Sequence, residues 1–218
     1  MSVSRDELER VEKKIKSELD PFLDGIRTKK ADFELFKQGY SDFTRRFSRA
    51  AELFGFLTRD MEKTMESQAI EEIYWLFVYL GIIESLGNTI VDMIVILLIA
   101  NGRDFHIERT RTRKLPRMSH VTSMKDLEKE RVSLGAKLGF LEDNNVKELS
   151  SIIDSDLRNR IAHLRFSFKE KRVYIKERPA VLVVWTALVK LTRALRVTSN
   201  LISQLAEAKG LTPKVKIK

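Results

Sequence analysis

Between residues 66 and 100 the chain carries its most apolar stretch, and any fold must find a place for it. The run reads as one helix. Glu84 and Asp92 cut its apolar part into pieces far shorter than the roughly 20 residues that a bilayer-spanning helix needs. A core helix at the centre of a bundle is therefore expected, with no membrane insertion. Gly81, Glu84, Ser85, Asn88 and Asp92 recur at helical spacing and give that helix one small, polar stripe. Carboxylates are not left unpaired in a core, so the stripe has to meet water, a partner helix or a functional pocket. Glu84 and Asn88 are candidate pocket-lining residues on that ground, against the plainer reading that they are satisfied structural groups.

The rest of the chain is patterned to pack around such a helix. Only 9 glycines and 4 prolines stand among 218 residues, so helices meet few interruptions. Ser4 and Glu7 match a capping box, and Leu8, Val11, Ile15 and Leu19 continue the stripe until Pro21 interrupts it, with Gly25 in the break that follows. Phe33, Phe36, Tyr40, Phe43, Phe47, Ala50, Leu53, Phe54 and Leu57 trace a second helix, with Arg45, Arg46 and Arg49 between them. Aromatics alternating with arginines could stack on single-stranded RNA, but the i, i+3, i+4 spacing assigns these to the core. A fourth helix starts at Ser123 and Asp126 and carries Leu127, Leu134, Leu138 and Leu141; a fifth runs from about residue 144 toward His163, burying Val146, Leu149, Ile153, Leu157 and Ile161. Residues 165–176 alternate apolar and polar on both sides of a charged turn, which predicts a short hairpin and the only β-structure expected. Pro179 opens a last helix to about residue 208, with Leu182, Trp185, Leu188, Leu195, Leu201, Ile202 and Leu205 inward, Lys190, Arg193, Arg196 and Asn200 on its other face, and Gly210 ending it. The expected fold is all-α, a multi-helix bundle with one short β-hairpin between the last two long helices. Residues 1–62 form a helical extension packed on a domain at 63–210, and the basic tail 211–218 is disordered.

The formal net charge of +9 and pI near 9.7 favour an anionic partner, either nucleic acid or an acidic membrane surface, unless the charge only keeps the protein soluble. Helical periodicity fails from 101 to 123, where Arg103, Arg109, Arg111, Arg113, Lys114 and Arg117 outnumber Asp104 and Glu108. This basic loop could hold phosphates by Coulomb attraction, or simply be solvated. The absence of cysteine excludes disulfides and thiolate chemistry, and three scattered histidines make a poor zinc site, so no metal or cofactor is expected. The first ten residues lack the apolar core of a secretory signal, which points to the cytoplasm.

The usable chemistry is concentrated at residues 154–163, Asp-Ser-Asp-Leu-Arg-Asn-Arg-Ile-Ala-His. Arg158 supplies a fixed positive charge, Asn159 a hydrogen-bonding amide, and His163 a group that exchanges protons near neutral pH, a trio suited to a phosphodiester. At 100° per residue Asn159 lies about 200° from Leu157, and His163 about 200° from Ile161, so both turn away from the apolar stripe toward water or a second chain. Arg113 and His120 share a similar spacing, but Pro116 stands between them and no helical stripe holds them.

Leu157-Arg158-Asn159-x-Ile161-Ala162-His163 at the end of an amphipathic helix, followed by a hairpin and another helix, resembles the HEPN (higher eukaryotes and prokaryotes nucleotide-binding) superfamily over about residues 66–210. The resemblance implies a helical bundle, usually a homodimer in which the motifs of both chains meet at one cleft. It also implies a metal-independent ribonuclease of toxin or defence type, with Arg158, Asn159 and His163 catalytic, and an antitoxin or nucleotidyltransferase-like protein as a possible partner. Arg103, Arg109, Arg111, Arg113, Lys114, Arg160 and Arg165 are the cations expected to meet RNA. Two other readings stay open: a HEPN-type module that binds a nucleotide or a protein without cleaving RNA, and a basic adaptor at a membrane surface.

Overall fold

The computed structural model of the chain describes residues 3–59, 68–107, 119–121, 123–129, 132–169 and 172–211. It is an all-α bundle with a small antiparallel sheet before the last helix.

Helix α1 (Arg5–Arg27) starts as its sequence dictates, with Ser4 Oγ accepting from the Glu7 N–H at 3.2 Å. It does not stop at Pro21. The proline forfeits one hydrogen bond, but Leu19, Leu23 and Ile26 remain on the buried stripe that Val11 and Ile15 begin, and that packing outweighs the local defect. Gly25 is no break either. A Cβ there would lie 1.9 Å from Asn101 Oδ1, so the missing side chain makes room for Asn101, whose amide donates to Phe22 O at 3.0 Å.

The centre of the bundle is a rod made of α3 (Gln68–Ile82), a π-helical turn (Ile83–Gly87) and α4 (Asn88–Ala100). Every residue from Thr89 to Leu98 is buried, as a helix that is apolar on all sides requires. By length and composition Ile70–Ala100 could cross a membrane, yet 67% of its most apolar window is buried inside the fold. Helix α2 (Phe33–Arg59) runs antiparallel to α4. The Asp32 N–H donates to Ala100 O at 2.7 Å, and Arg46 meets Asp92 at 2.9 Å. Phe36, Tyr40, Phe43 and Ala50 are buried, with Phe33 and Phe47 packed against them; Leu53, Phe54 and Leu57 lie outside the described side chains.

Two expected helices are each divided. The fourth becomes α5 (Met124–Lys129) and α6 (Leu134–Asp143), because Ser133 Oγ accepts from the Ala136 N–H at 3.2 Å and starts a new helix. The fifth becomes α7 (Lys147–Ile152) and α8 (Ser155–Ala162). Its apolar stripe runs unbroken through the sequence, but Asp154 Oδ1 accepts from the Leu157 N–H at 2.9 Å, an N-cap geometry that a residue inside a helix cannot adopt.

The hairpin forms where expected, as β3 (Ser167–Lys169) and β4 (Arg172–Ile175), and β5 (Arg178–Pro179) adds a third strand in the order β3-β4-β5. Lys176 and Glu177 join β4 to β5 with φ of 48° and 64°, the tight two-residue turn that suits twisted strands. Buried Glu72 of α3 fastens this sheet to the rod, accepting from Arg172 Nε and from the Val173 N–H, each at 2.7 Å. A second pairing, β1 (His106–Ile107) with β2 (Ser119–His120), joins the ends of the basic loop, where the sequence suggested no strand.

Helix α9 (Ala180–Ala208) packs on α1, α3 and α7 and buries Ala180, Val184, Leu188, Leu191, Leu195, Ile202 and Leu205. Leu182 and Trp185 do not point inward as expected. They lie off the Ala180–Val184–Leu188 line and are about half exposed, with Trp185 edge-on to Trp75 at 5.3 Å. Lys190 and Arg193 of α9 pair with Glu7 and Glu12 of α1. Residues of α1 and α2 thus share one contiguous core with α4 and α9.

Candidate functional site

Helix α8 turns two faces to two environments. Leu157 and Ile161 are buried, while Asn159 and His163 are exposed on the opposite side. His163 is the C-cap of α8, its N–H donating to Asn159 O at 3.0 Å. The chain then reverses through Leu164 at φ 52°. The Leu164 N–H donates to Ile161 O at 3.0 Å and the Arg165 N–H to Arg160 O at 2.7 Å, the paired bonds of a Schellman end. Glycine is the usual residue there. A leucine in the left-handed region, with its side chain in water, is a local strain beside the motif.

Arg158 is held from two sides. Its Nε and Nη2 meet Glu84 Oε1, and its Nη1 donates to Asn159 Oδ1 at 2.7 Å. Glu84 reaches it from the π turn of the central rod, where an extra residue per turn rotates α4 relative to α3. The polar stripe read from the sequence is divided by this turn. Glu84 goes to α8, whereas Asn88 accepts from Lys137 Nζ at 2.8 Å, and Asp92 pairs with Lys137 at 2.5 Å and with Arg46. Glu84 therefore joins the motif, and Asn88 belongs to a buried charge network between α4, α6 and α2. With Arg158 30% and Glu84 41% exposed, the pair is worth only about 0.2–1 kcal/mol of stability, so its main effect is to fix the plane of the guanidinium.

The other expected RNA contacts disperse. Arg160 points to the far flank of α8, where Asp156 bonds both Lys176 at 2.8 Å and Arg160 at 3.0 Å. Those bonds, Lys176 first, hold the Asp156 carboxyl below its usual range. Arg103 stacks over Phe22 at 6.0 Å, beyond the end of α4 and roughly 25 Å along the rod from Glu84 at 1.5 Å per residue. Arg109, Arg111, Arg113 and Lys114 lie outside the described residues. Arg165, two residues past His163, is exposed and has no carboxylate partner among the described residues.

Two features escaped the sequence reading. The alternation of residues 165–176 does not say that Phe168 stays 59% exposed across from the fully buried Val173. Nothing in the local sequence announces that Glu72 would anchor the sheet.

Chemically, the end of α8 offers an exposed imidazole at His163 and, five positions earlier, a guanidinium oriented by Glu84 and the Asn159 amide. It can bind an oxyanion and exchange a proton with a group beside it. The motif holds one histidine, so one copy of the chain has one acid or one base here. Compared with protein-family models, with curated proteins and with solved structures, the chain finds no match, and the functional reading rests on these residues and their geometry.

Proposed function

We propose that the protein is a metal-independent endoribonuclease of HEPN type, working as a homodimer whose two α8 ends form one cleft. The observation that carries this reading is the exposed His163 on the same short helix as Arg158, whose guanidinium Glu84 and Asn159 hold in place. In the proposed reaction the 2′-oxygen attacks the adjacent phosphorus as one His163 takes the 2′-hydroxyl proton. The P–O5′ bond breaks as the second protomer's imidazole protonates the departing oxygen. Arg158 bears the charge that grows on the phosphorane. The products are a 2′,3′-cyclic phosphate and a 5′-hydroxyl, and no third reactant enters.

Two chains are required because one imidazole cannot take and give a proton in the same step. On α3, Phe77 is 48% exposed seven residues before Glu84, an apolar side chain in water on the element that carries the motif's carboxylate.

The test is digestion of mixed RNAs in EDTA. Wild type cuts, while His163→Ala and Arg158→Ala lose at least about 100-fold in rate, the scale of one proton-transfer group. Intact RNA across varied substrates would end the proposal. One observation favours a second reading, a HEPN-type module that binds a nucleotide or a protein without cleavage: Glu84 already neutralises Arg158. Nucleotide binding with no cleavage by wild type or by Glu84→Gln would select it.

A further inference from the structure

We infer that the strand leaving the motif is a base-stacking platform, and that the substrate of the site is single-stranded RNA with a nucleobase laid on Phe168. This rests on the ribonuclease reading and names its substrate class.

Strand β3 is an edge of its sheet, and all three of its residues are exposed. Phe168 pairs across the sheet with Val173, yet Val173 is in the core and Phe168 overhangs it. Phe166 meets Phe168 edge-to-face at 5.7 Å and 74°, which steadies the outer ring and leaves it open to solvent. A single exposed phenylalanine would be ordinary surface. Here the aromatics alternate with cations in Arg165-Phe166-Ser167-Phe168-Lys169, and neither Arg165 nor Lys169 has a carboxylate partner among the described residues. Among the neighbouring basic residues, Arg158, Arg160, Arg172 and Lys176 are paired to acids. On a strand successive side chains take opposite faces, so the two rings share one face and the long cations flank them from the other. The cations reach round the exposed strand edge to phosphates while the outer ring stacks a base, the combination that holds an unpaired nucleotide strand.

Position fits the same role. Phe168 is five residues beyond His163, at most roughly 17 Å of chain, so a strand whose phosphate lies at His163 passes the ring within a few nucleotides. The Glu72 bonds to Arg172 and Val173 fix the sheet to the same rod that carries Glu84, so platform and motif share one rigid support. A duplex keeps its bases stacked on one another and cannot use the ring, which makes the platform selective for unpaired RNA.

The experiment is fluorescence anisotropy of the full chain carrying His163→Ala, with a short unstructured RNA and a blunt RNA duplex as probes. The unpaired strand is expected to bind more tightly than the duplex. Adding Phe168→Ala should weaken single-strand binding roughly ten-fold, Phe168→Leu should weaken it equally, and Phe168→Tyr should retain it within about two-fold. Sedimentation velocity should show the same association state for all of them. Equal affinity for strand and duplex, retention of binding by Phe168→Leu, or loss of binding together with conversion to monomers would overturn the platform, the last by making Phe168 a contact between copies. Its failure is distinguishable from failure of the nuclease reading. Phe168-dependent binding in a protein that never cuts RNA sinks only the nuclease, and cleavage by a Phe168-independent protein sinks only the platform.

Discussion

Two stretches of this chain mix phenylalanines with basic residues, and the fold treats them in opposite ways. On α2 the rings of Phe36, Tyr40 and Phe43 are buried against α4, and Arg46 is paired with the buried Asp92. On β3 the ring of Phe168 stands in water, and Arg165 and Lys169 meet no carboxylate among the described residues. Composition does not separate the two. Periodicity does, since residues at i, i+3 and i+4 fall on one helical face that a neighbour can cover, whereas an edge strand ends its pairing where its sheet ends. The same residue types serve stability in one place and remain available for binding in the other.

This contrast can be broken by mutation. The largest effects should lie on the α2 side. Phe43→Ala is expected to cost about 3–5 kcal/mol in urea unfolding, the range for emptying a packed aromatic site. Asp92→Ala should cost a similar 3–5 kcal/mol, because it leaves the buried Lys137 ammonium without its counter-charge. A Lys137→Met, Asp92→Leu double variant should recover much of that loss, and failure to do so would mean the network matters for more than charge compensation.

The hairpin side should respond locally. Glu72→Ala removes the acceptor for Arg172 and for the Val173 N–H, at about 1–3 kcal/mol, and hydrogen exchange should show β3 and β4 losing protection while α2 keeps it. Phe168→Ala should change global stability by less than about 1 kcal/mol, and a larger loss would place that ring in the core.

Acid should give the smallest effect. Lys176 and Arg160 depress the Asp156 carboxyl, so its contribution is complete above the ordinary carboxylate range and disappears as pH falls through the depressed value. Amides of β4 and β5 should therefore loosen below about pH 4 in wild type, more than they do in Asp156→Asn, in which that contribution is already missing.

Much of the bundle was legible because its helices carry long apolar stripes, and α1, α2 and the central rod follow them. The misreadings came where one local group competed with a stripe. Pro21 and Gly25 look like breakers, yet packing and a close approach to Asn101 retain both inside α1. Asp154 works the other way, capping α8 across a stripe that suggests one continuous helix. The π turn leaves no mark in composition, so the division of the polar stripe between Arg158 and Lys137 could not be read from spacing. At the site, the outward turn of Asn159 and His163 follows from helical geometry. The Arg158–Glu84 pair joins positions 74 apart and needed the fold.

Proton transfer to and from RNA at the end of α8 leaves a chemical signature on the products. The most direct measurement is mass analysis of the ends produced when wild type meets a single-stranded RNA in EDTA, beside the same strand carrying a 2′-deoxy sugar at the cut position. The expected result is 2′,3′-cyclic phosphate and 5′-hydroxyl ends from the RNA and none from the substituted strand. Cleavage of the 2′-deoxy strand, or a nuclease activity undiminished in His163→Ala, would contradict it.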